Sequence, residues 1–348
     1  MNSIPTVQVV QEAVNDSLRG IFTEKKKQAQ VLHSAYNDFW SRIEEVVMSG
    51  GKRMRPYLTI VGYGALDEQI LRIAVAQELV HCAILMHDDV IDQDFVRHGA
   101  QNISGLYRTR YSSFLDAPRA THYAHGAAIM AGDALLSEAY RQISLSHLPD
   151  TIKQHVSEQL SSAIFEVIGG ELIDVEAAFV TDKSYDPLDV YRYKTAGYSI
   201  VRPLLAGALC SGVSGAMCRS LEQFGIEAGI AFQIKDDTLG TYGDEKVTGK
   251  PLLTDLREGK MTLLVSYHKQ LMDEQARENF AHFGDVNASD EQLIVIRNDM
   301  TQSGAHARAE QDEQLYLERA ARILETLGDD VRRAVLTEFL EHLSRRNA

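Results

Sequence analysis

Apolar residues recur along most of this chain in steps of three and four. From Ile70, the series Ile73, Ala74, Gln77, Leu79, Val80, Ala83, Ile84 and His87 traces a helical face, whereas the strict alternation of a half-buried strand is hard to find. The pattern predicts helices over about 5–30, 35–48, 56–65, 68–93, 119–146, 150–180, 188–212, 216–241, 260–272, 289–302, 305–327 and 331–345. Pro56 can open a helix after the Gly50-Gly51 break, and Pro187 and Pro251 stand at segment starts, where a missing N–H costs little. No Ser/Pro/Gly-rich linker interrupts the series. The expected architecture is all-α: one large helical bundle over 1–348, with its site in a central cavity among facing helices. The lysine run Lys25 to Lys27 and the acidic segment around 305–318 read as solvated helix faces.

Composition narrows the ligands. A net charge of −14 over 348 residues offers no broad basic surface, which excludes nucleic acid and requires any anionic ligand to be held by local cations. Cys82, Cys210 and Cys218 lack paired spacing and fit free thiols of a reducing compartment. The opening MNSIPTVQVVQEAVNDS has no leader-like order, and no run reaches ~18 uninterrupted apolar residues. The expectation is a soluble, cytoplasmic protein with no transmembrane segment.

Against that background, LMHDDVIDQDFVRHG stands out. Asp88 and Asp92 fall at i and i+4 on one face near the end of an apolar helix, with Asp89 beside them. Like charges so placed repel unless a cation lies between them. Magnesium suits the arrangement, because it binds through one or two carboxylates and takes its other oxygens from water and phosphate; an exposed acidic helix end is the plainer reading. A second pair, Asp236-Asp237 in FQIKDDTLGTYGDEKVTGK, closes another apolar helix, and two such ends could face each other across a cavity. Lys52 and Arg55 follow a glycine break, Arg97 follows the first aspartates, and Lys194, Lys250 and Lys260 stand near Thr195 or glycine. Isolated cations in an acidic chain suggest phosphate clamps.

The segments GGKRMRP, HDDVID, AGDALL, YKTAGYS, FQIKDDTLG, GDEKVTGKP and DLREGK run in this order. Together they resemble the trans-isoprenyl diphosphate synthase family, also called polyprenyl synthetases. The resemblance implies an isoprenoid-synthase bundle, usually a homodimer, that condenses isopentenyl diphosphate with an allylic diphosphate (1'-4 elongation) and releases pyrophosphate. It implies Mg2+, three ions with the bound diphosphate, on Asp88, Asp89 and Asp92 and on Asp236 and Asp237. Arg97, Lys194, Lys250 and Lys260 would neutralise the leaving group, and Thr195 and Gln233 would stabilise the cationic reaction region. Lys52, Arg55 and His81 match positions that grip isopentenyl diphosphate.

The chain also departs from that pattern. His98 stands where the family usually has a second arginine that helps to hold isopentenyl diphosphate; with an ordinary pKa of ~6.5 it carries full charge only near an anion. Gly240 replaces a third aspartate, with Asp244 a candidate substitute, and Glu171 replaces a common glutamine while Asp174 keeps the expected acid. Product length depends on what blocks the pocket behind Asp88. Val80, Ala83 and Ile84 carry no aromatic ring, so the product is expected at twenty carbons or more unless Phe165 or Tyr140 plugs the pocket, and Ala83→Phe should shorten it. The histidines His81, His87, His98, His122 and His125 match no zinc spacing; the last two and His87 read as capping or packing groups. Two other functions compete. A terpene cyclase would use Asp237, Thr241 and Glu245 at 1, 5, 9 spacing, but Thr238 and Gly243 break that motif. A non-catalytic subunit of a prenyl synthase would be expected to have lost a metal motif.

Overall fold

The structure, a computed structural model, describes residues 4–97, 99–179, 185–243 and 252–345. Its helices are α1 (Val7–Leu32), α2 (Ser34–Met48), α3 (Met54–Tyr63), α4 (Glu68–Ile91), α5 (Ile103–Tyr111), α6 (Ala117–Leu145), α7 (Asp150–Phe179), α8 (Pro187–Val190), a π-helix (Tyr191–Val201), α9 (Arg202–Ser211) and α10 (Gly215–Tyr242). The helices Thr254–Glu258, Leu263–Leu271, Glu274–Asn279, Asp290–Gln302, Ala305–Glu325 and Asp330–Ser344 follow. The strands among the described residues are Val96–Arg97 and Ala100–Gln101, paired antiparallel.

The chain divides into two compact units, Met1–Leu160 with Ala206–Gly212, and Ser161–Leu205 with Val213–Ala348. In the first, α4 packs on α6, α3 and α1, burying Ile70, Ile73, Leu79 and Met86 completely; each such side chain contributes about 1.5–3 kcal/mol of burial. α4 is long and apolar enough to cross a membrane, but 67% of that window is buried, as in a core helix. Gly207 lets helix backbones touch: a Cβ there would stand 1.9 Å from the Thr59 carbonyl oxygen. In the second unit α10 packs between the π-helix and Ala305–Glu325.

Several expectations need correction. The helix foreseen over 188–212 is α8, the π-helix and α9 in succession; apolar periodicity does not distinguish i→i+5 from i→i+4 bonding. Pro56 does not open α3 but is its third residue, still within the turn whose N–H groups lack helical partners. α5 and Thr254–Glu258 were not foreseen, being short and set by caps and turns. The solvated-face reading fails at two points. Lys25 pairs at 2.6 Å with the buried Glu138, and Glu313, within the acidic segment, is buried with Lys235 3.7 Å away.

Candidate active site

The first aspartate group sits where α4 ends. Asp92 caps the helix, Gln93 adopts a left-handed conformation (φ 57°), and the chain turns back through the two short strands. Gly105 is part of this turn, since a Cβ there would lie 2.1 Å from the Phe95 carbonyl oxygen. Asn102 fastens it, donating to the Asp94 carbonyl at 2.9 Å and accepting from Gly105 N–H at 2.8 Å. The result brings Arg97 onto the aspartates: Nε donates to Asp89 Oδ1 at 2.7 Å and Nη2 to Asp88 Oδ2 at 3.0 Å. Burial raises the Asp89 pKa against the opposing charge of Arg97. Burial also weakens the Arg97 cation, but Asp89 and Asp88 outweigh it and raise its pKa.

Asp89 is buried, Asp88 half-buried and Asp92 exposed. The motif thus presents Asp88 and Asp92 outward at a helix C-terminus, where carbonyl dipoles add negative potential. His87 turns the other way, packing over Gly132, where a Cβ would stand 2.2 Å from its Nε2; that contact accounts for the glycine of AGDALL. His125 stacks on Phe95, and among the described residues no three His, Cys, Asp or Glu converge as a metal cage.

In the same unit Lys52 is exposed and Arg55 and His81 are half-buried. The field of Arg55 reaches Cys82, the neighbour of His81. Between Lys52 and Arg55, Arg53 is left-handed (φ 49°) and buried. It donates to Glu78 at 2.7 Å, to the Val47 carbonyl at 2.8 Å and to Asn15 at 3.0 Å, which fixes the turn between Lys52 and α3, the helix that carries Arg55. Of the three tail-pocket candidates, Val80 and Ala83 are buried at 2% and 0% exposure while Ile84 retains accessible surface. Tyr140 and Phe165, the foreseen plugs, are 36% and 81% exposed.

The second unit holds the other acids. Asp236 is exposed and Asp237 buried, repeating the outward and inward split of Asp88 and Asp89. Gln233 donates to Asp237 Oδ1 at 2.7 Å and accepts from Thr195 Oγ1 at 2.7 Å. Tyr191 donates its hydroxyl to Asp237 Oδ2. Burial pushes the Asp237 carboxyl up to about 7, despite Lys260 3.8 Å away. Lys260 is held charged by Asp255 above all, then by Asp237, Asp174 and Asp236, which overcome its burial. Lys194 pairs with Asp174 at 2.6 Å and Glu171 at 2.8 Å. Gly170 of α7 allows this approach, since a Cβ there would stand 2.5 Å from Lys194 N. Thr241, the second position of the cyclase spacing, is buried and donates to the Asp237 carbonyl at 3.2 Å. His98, Asp244, Glu245 and Lys250 lie outside the described residues.

Sequence reasoning missed Asp255 and Tyr191. Asp255 Oδ2 lies 3.0 Å from where a Cβ on Gly240 would stand, so it brings a carboxylate toward the position left without a third aspartate. The signal was an acid five residues before Lys260 in DLREGK.

The polyprenyl synthetase family profile matches residues 36–297. The chain belongs to that family. It is 33% identical over 291 residues to a geranylfarnesyl diphosphate synthase of Aeropyrum pernix, covering 80% of this chain and 84% of the relative. It is 32% identical to a short chain isoprenyl diphosphate synthase of Methanocaldococcus jannaschii, covering 72% of each. Among solved structures, a geranylgeranyl pyrophosphate synthase from Corynebacterium glutamicum, complexed with isoprenyl diphosphate and magnesium, is similar with a TM-score of 0.92 and 28% identity, over 99% of this chain and 100% of that one. The fold is accordingly the all-α isoprenoid synthase fold of this family.

In each unit the donors fit a hard divalent ion: they are carboxylate oxygens, too few to enclose a cation without a ligand's own oxygens, and they are compensated by Arg97 in the first unit and Lys260 in the second.

Proposed function

We propose that this protein is a trans-prenyltransferase that adds isopentenyl diphosphate to an allylic diphosphate by 1'-4 condensation and releases pyrophosphate. The observation that carries the reading is the split of each aspartate pair into a more accessible acid, Asp88 half-buried and Asp236 exposed, and a buried acid held by protein donors, in a chain of the polyprenyl synthetase family. Asp88, Asp92 and Asp236 are the acids that offer surface to magnesium, while Asp89 and Asp237 orient them. Magnesium, when bound, neutralises the charge developing on the departing pyrophosphate. Arg97, Lys194 and Lys260, with Lys250, supply the cations that hold the diphosphate. Thr195 and Gln233 present oxygens to the allylic cation, which must meet the second substrate before it meets water. Lys52, Arg55 and His81, with His98, bind isopentenyl diphosphate.

The product is read as twenty carbons or longer, because the residues preceding Asp88 carry no aromatic ring and relatives include geranylgeranyl and geranylfarnesyl synthases. Three magnesium ions, one catalytic domain over 1–348 and a cytoplasmic location complete the proposal. A homodimer is supported by Phe165, Ile168 and Leu172 at i, i+3 and i+7 on α7, which are 81%, 61% and 61% exposed. Incubation of the purified protein with magnesium, isopentenyl diphosphate and C5, C10 or C15 primers, with products read by mass spectrometry, tests the reaction. No elongation with any primer refutes it.

A further inference from the structure

The π-helix and α10 are joined by a ladder of side chains. Thr195 meets Gln233 and, four residues earlier, Tyr191 meets Asp237, four residues later on α10. The donors converge on the Asp237 carboxylate from both ends. The Thr195 hydroxyl donates to Gln233 Oε1, Gln233 Nε2 to Asp237 Oδ1, and the Tyr191 hydroxyl to Asp237 Oδ2. The Tyr191 oxygen in turn accepts the Leu263 backbone N–H at 2.8 Å. Tyr191 is 3% exposed, so its hydroxyl has no access to bulk water and is committed to these two partners. Leu263 opens the helix Leu263–Leu271, and its N–H, like others in a first turn, has no partner within its own helix.

We infer that Tyr191 is a positioning residue for the condensation: it holds Asp237 in the orientation used at the metal–diphosphate site and ties that orientation to the segment carrying Lys260. The inference rests on the prenyltransferase reading for the identity of the bound group. Two details favour positioning over simple core filling. A packing role would be served by phenylalanine, whereas here the hydroxyl is the fourth link in a chain from Thr195 to Leu263. The hydroxyl and Lys260 also address the same carboxylate, with Lys260 Nζ 3.8 Å from Asp237 Oδ1. One residue thus sets the carboxylate relative to both the backbone beyond Lys260 and the Thr195-Gln233 pair.

The test uses the full chain and two variants, Tyr191→Phe and Leu263→Pro. The second removes the backbone donor to Tyr191 together with the buried Leu263 side chain, so its thermal midpoint reports the packing loss separately; proline is favoured at a first helical position, and Thr262 already has the extended conformation it requires (φ −71°, ψ 167°). Magnesium binding in the presence of inorganic pyrophosphate, followed by calorimetry, is read beside the kinetic constants and the thermal midpoint. Tyr191→Phe should weaken magnesium pyrophosphate binding by about tenfold, the usual scale for an outer-shell partner, and lower kcat, with the KM for isopentenyl diphosphate unchanged. Leu263→Pro should move binding in the same direction by less. In an Asp237→Asn background Tyr191→Phe should add no further loss. Unchanged metal binding in both variants, or the same loss with and without Asp237, overturns the inference. A wild-type protein that binds magnesium pyrophosphate but never elongates a primer refutes the reaction instead and leaves the positioning role measurable.

Discussion

Replacing Asp237 with asparagine should make the metal-free protein more stable at neutral pH and less stable in acid. The carboxyl ordinarily titrates at 3.8 and is pushed up to about 7 by burial. At 1.36 kcal/mol per unit, that difference is roughly 4 kcal/mol. The sign follows from proton binding. Below pH ~4 the group is protonated whether folded or unfolded and costs nothing; between pH ~4 and 7 only the unfolded chain loses its proton, so stability falls as pH rises; above 7 the full cost remains. Asparagine cannot ionise and escapes that cost. It does set an amide N–H2 against Gln233, whose own N–H2 donates to the carboxylate at 2.7 Å, a loss of about 1–2 kcal/mol. The variant should therefore be about 1–2 kcal/mol less stable than wild type at pH 4 and about 2–3 kcal/mol more stable at pH 8. The two stability curves cross between. Urea unfolding in the presence of a chelator, at intervals from pH 4 to 8.5, reads this directly. A constant offset between the two proteins across that range would refute the argument.

Other substitutions probe the remaining assignments. Asp255→Ala should weaken magnesium pyrophosphate binding by about tenfold, and adding Gly240→Asp should restore much of it, because a Cβ at 240 is directed at the vacated carboxylate; a double variant no better than the single one speaks against the substitution of one acid by the other. Ile84→Phe should shorten the product seen by mass spectrometry, whereas Ala83→Phe, at a site with 0% exposure, should chiefly cost about 1–3 kcal/mol in overpacking, visible as a lower denaturation midpoint. His98→Arg should lower the KM for isopentenyl diphosphate and flatten its rise between pH 6 and 8, because a guanidinium is a permanent cation and an imidazole is not; an unchanged pH profile rules this out.

The helices were legible because their signal is repeated burial. Ile70, Ile73 and Leu79 announce α4 and are wholly buried in it. The acids and their cations were legible as types, since charge inside an apolar run needs compensation. The partners were not. Arg97 reaches Asp88 and Asp89 because the chain reverses after α4 at Gln93, and no periodicity encodes that reversal. Lys25 read as solvated because its partner Glu138 is far along the sequence. Tyr191 was one tyrosine among fourteen, and its meaning depends on the wider π-helical turn. Val80, Ala83 and Ile84 were placed in the tail pocket by their position ahead of Asp88 and their lack of an aromatic ring, and how closely each is packed depends on what lies opposite.

Three glycines flank the π-helix from two helices. A Cβ on Gly170 would stand 2.5 Å from Lys194 N, one on Gly229 2.4 Å from Ala196 Cβ, and one on Gly225 2.8 Å from Val201. The segment bearing Lys194 and Thr195 is therefore located by main chain against main chain, with almost no side-chain cushion. A cushion is what lets a protein absorb substitutions gradually, by repacking. Here the first methyl group added at any of the three would have to move a helix. Divergence in this chain is thus steered away from the π-helix and its two supports, and toward positions whose side chains can change one at a time.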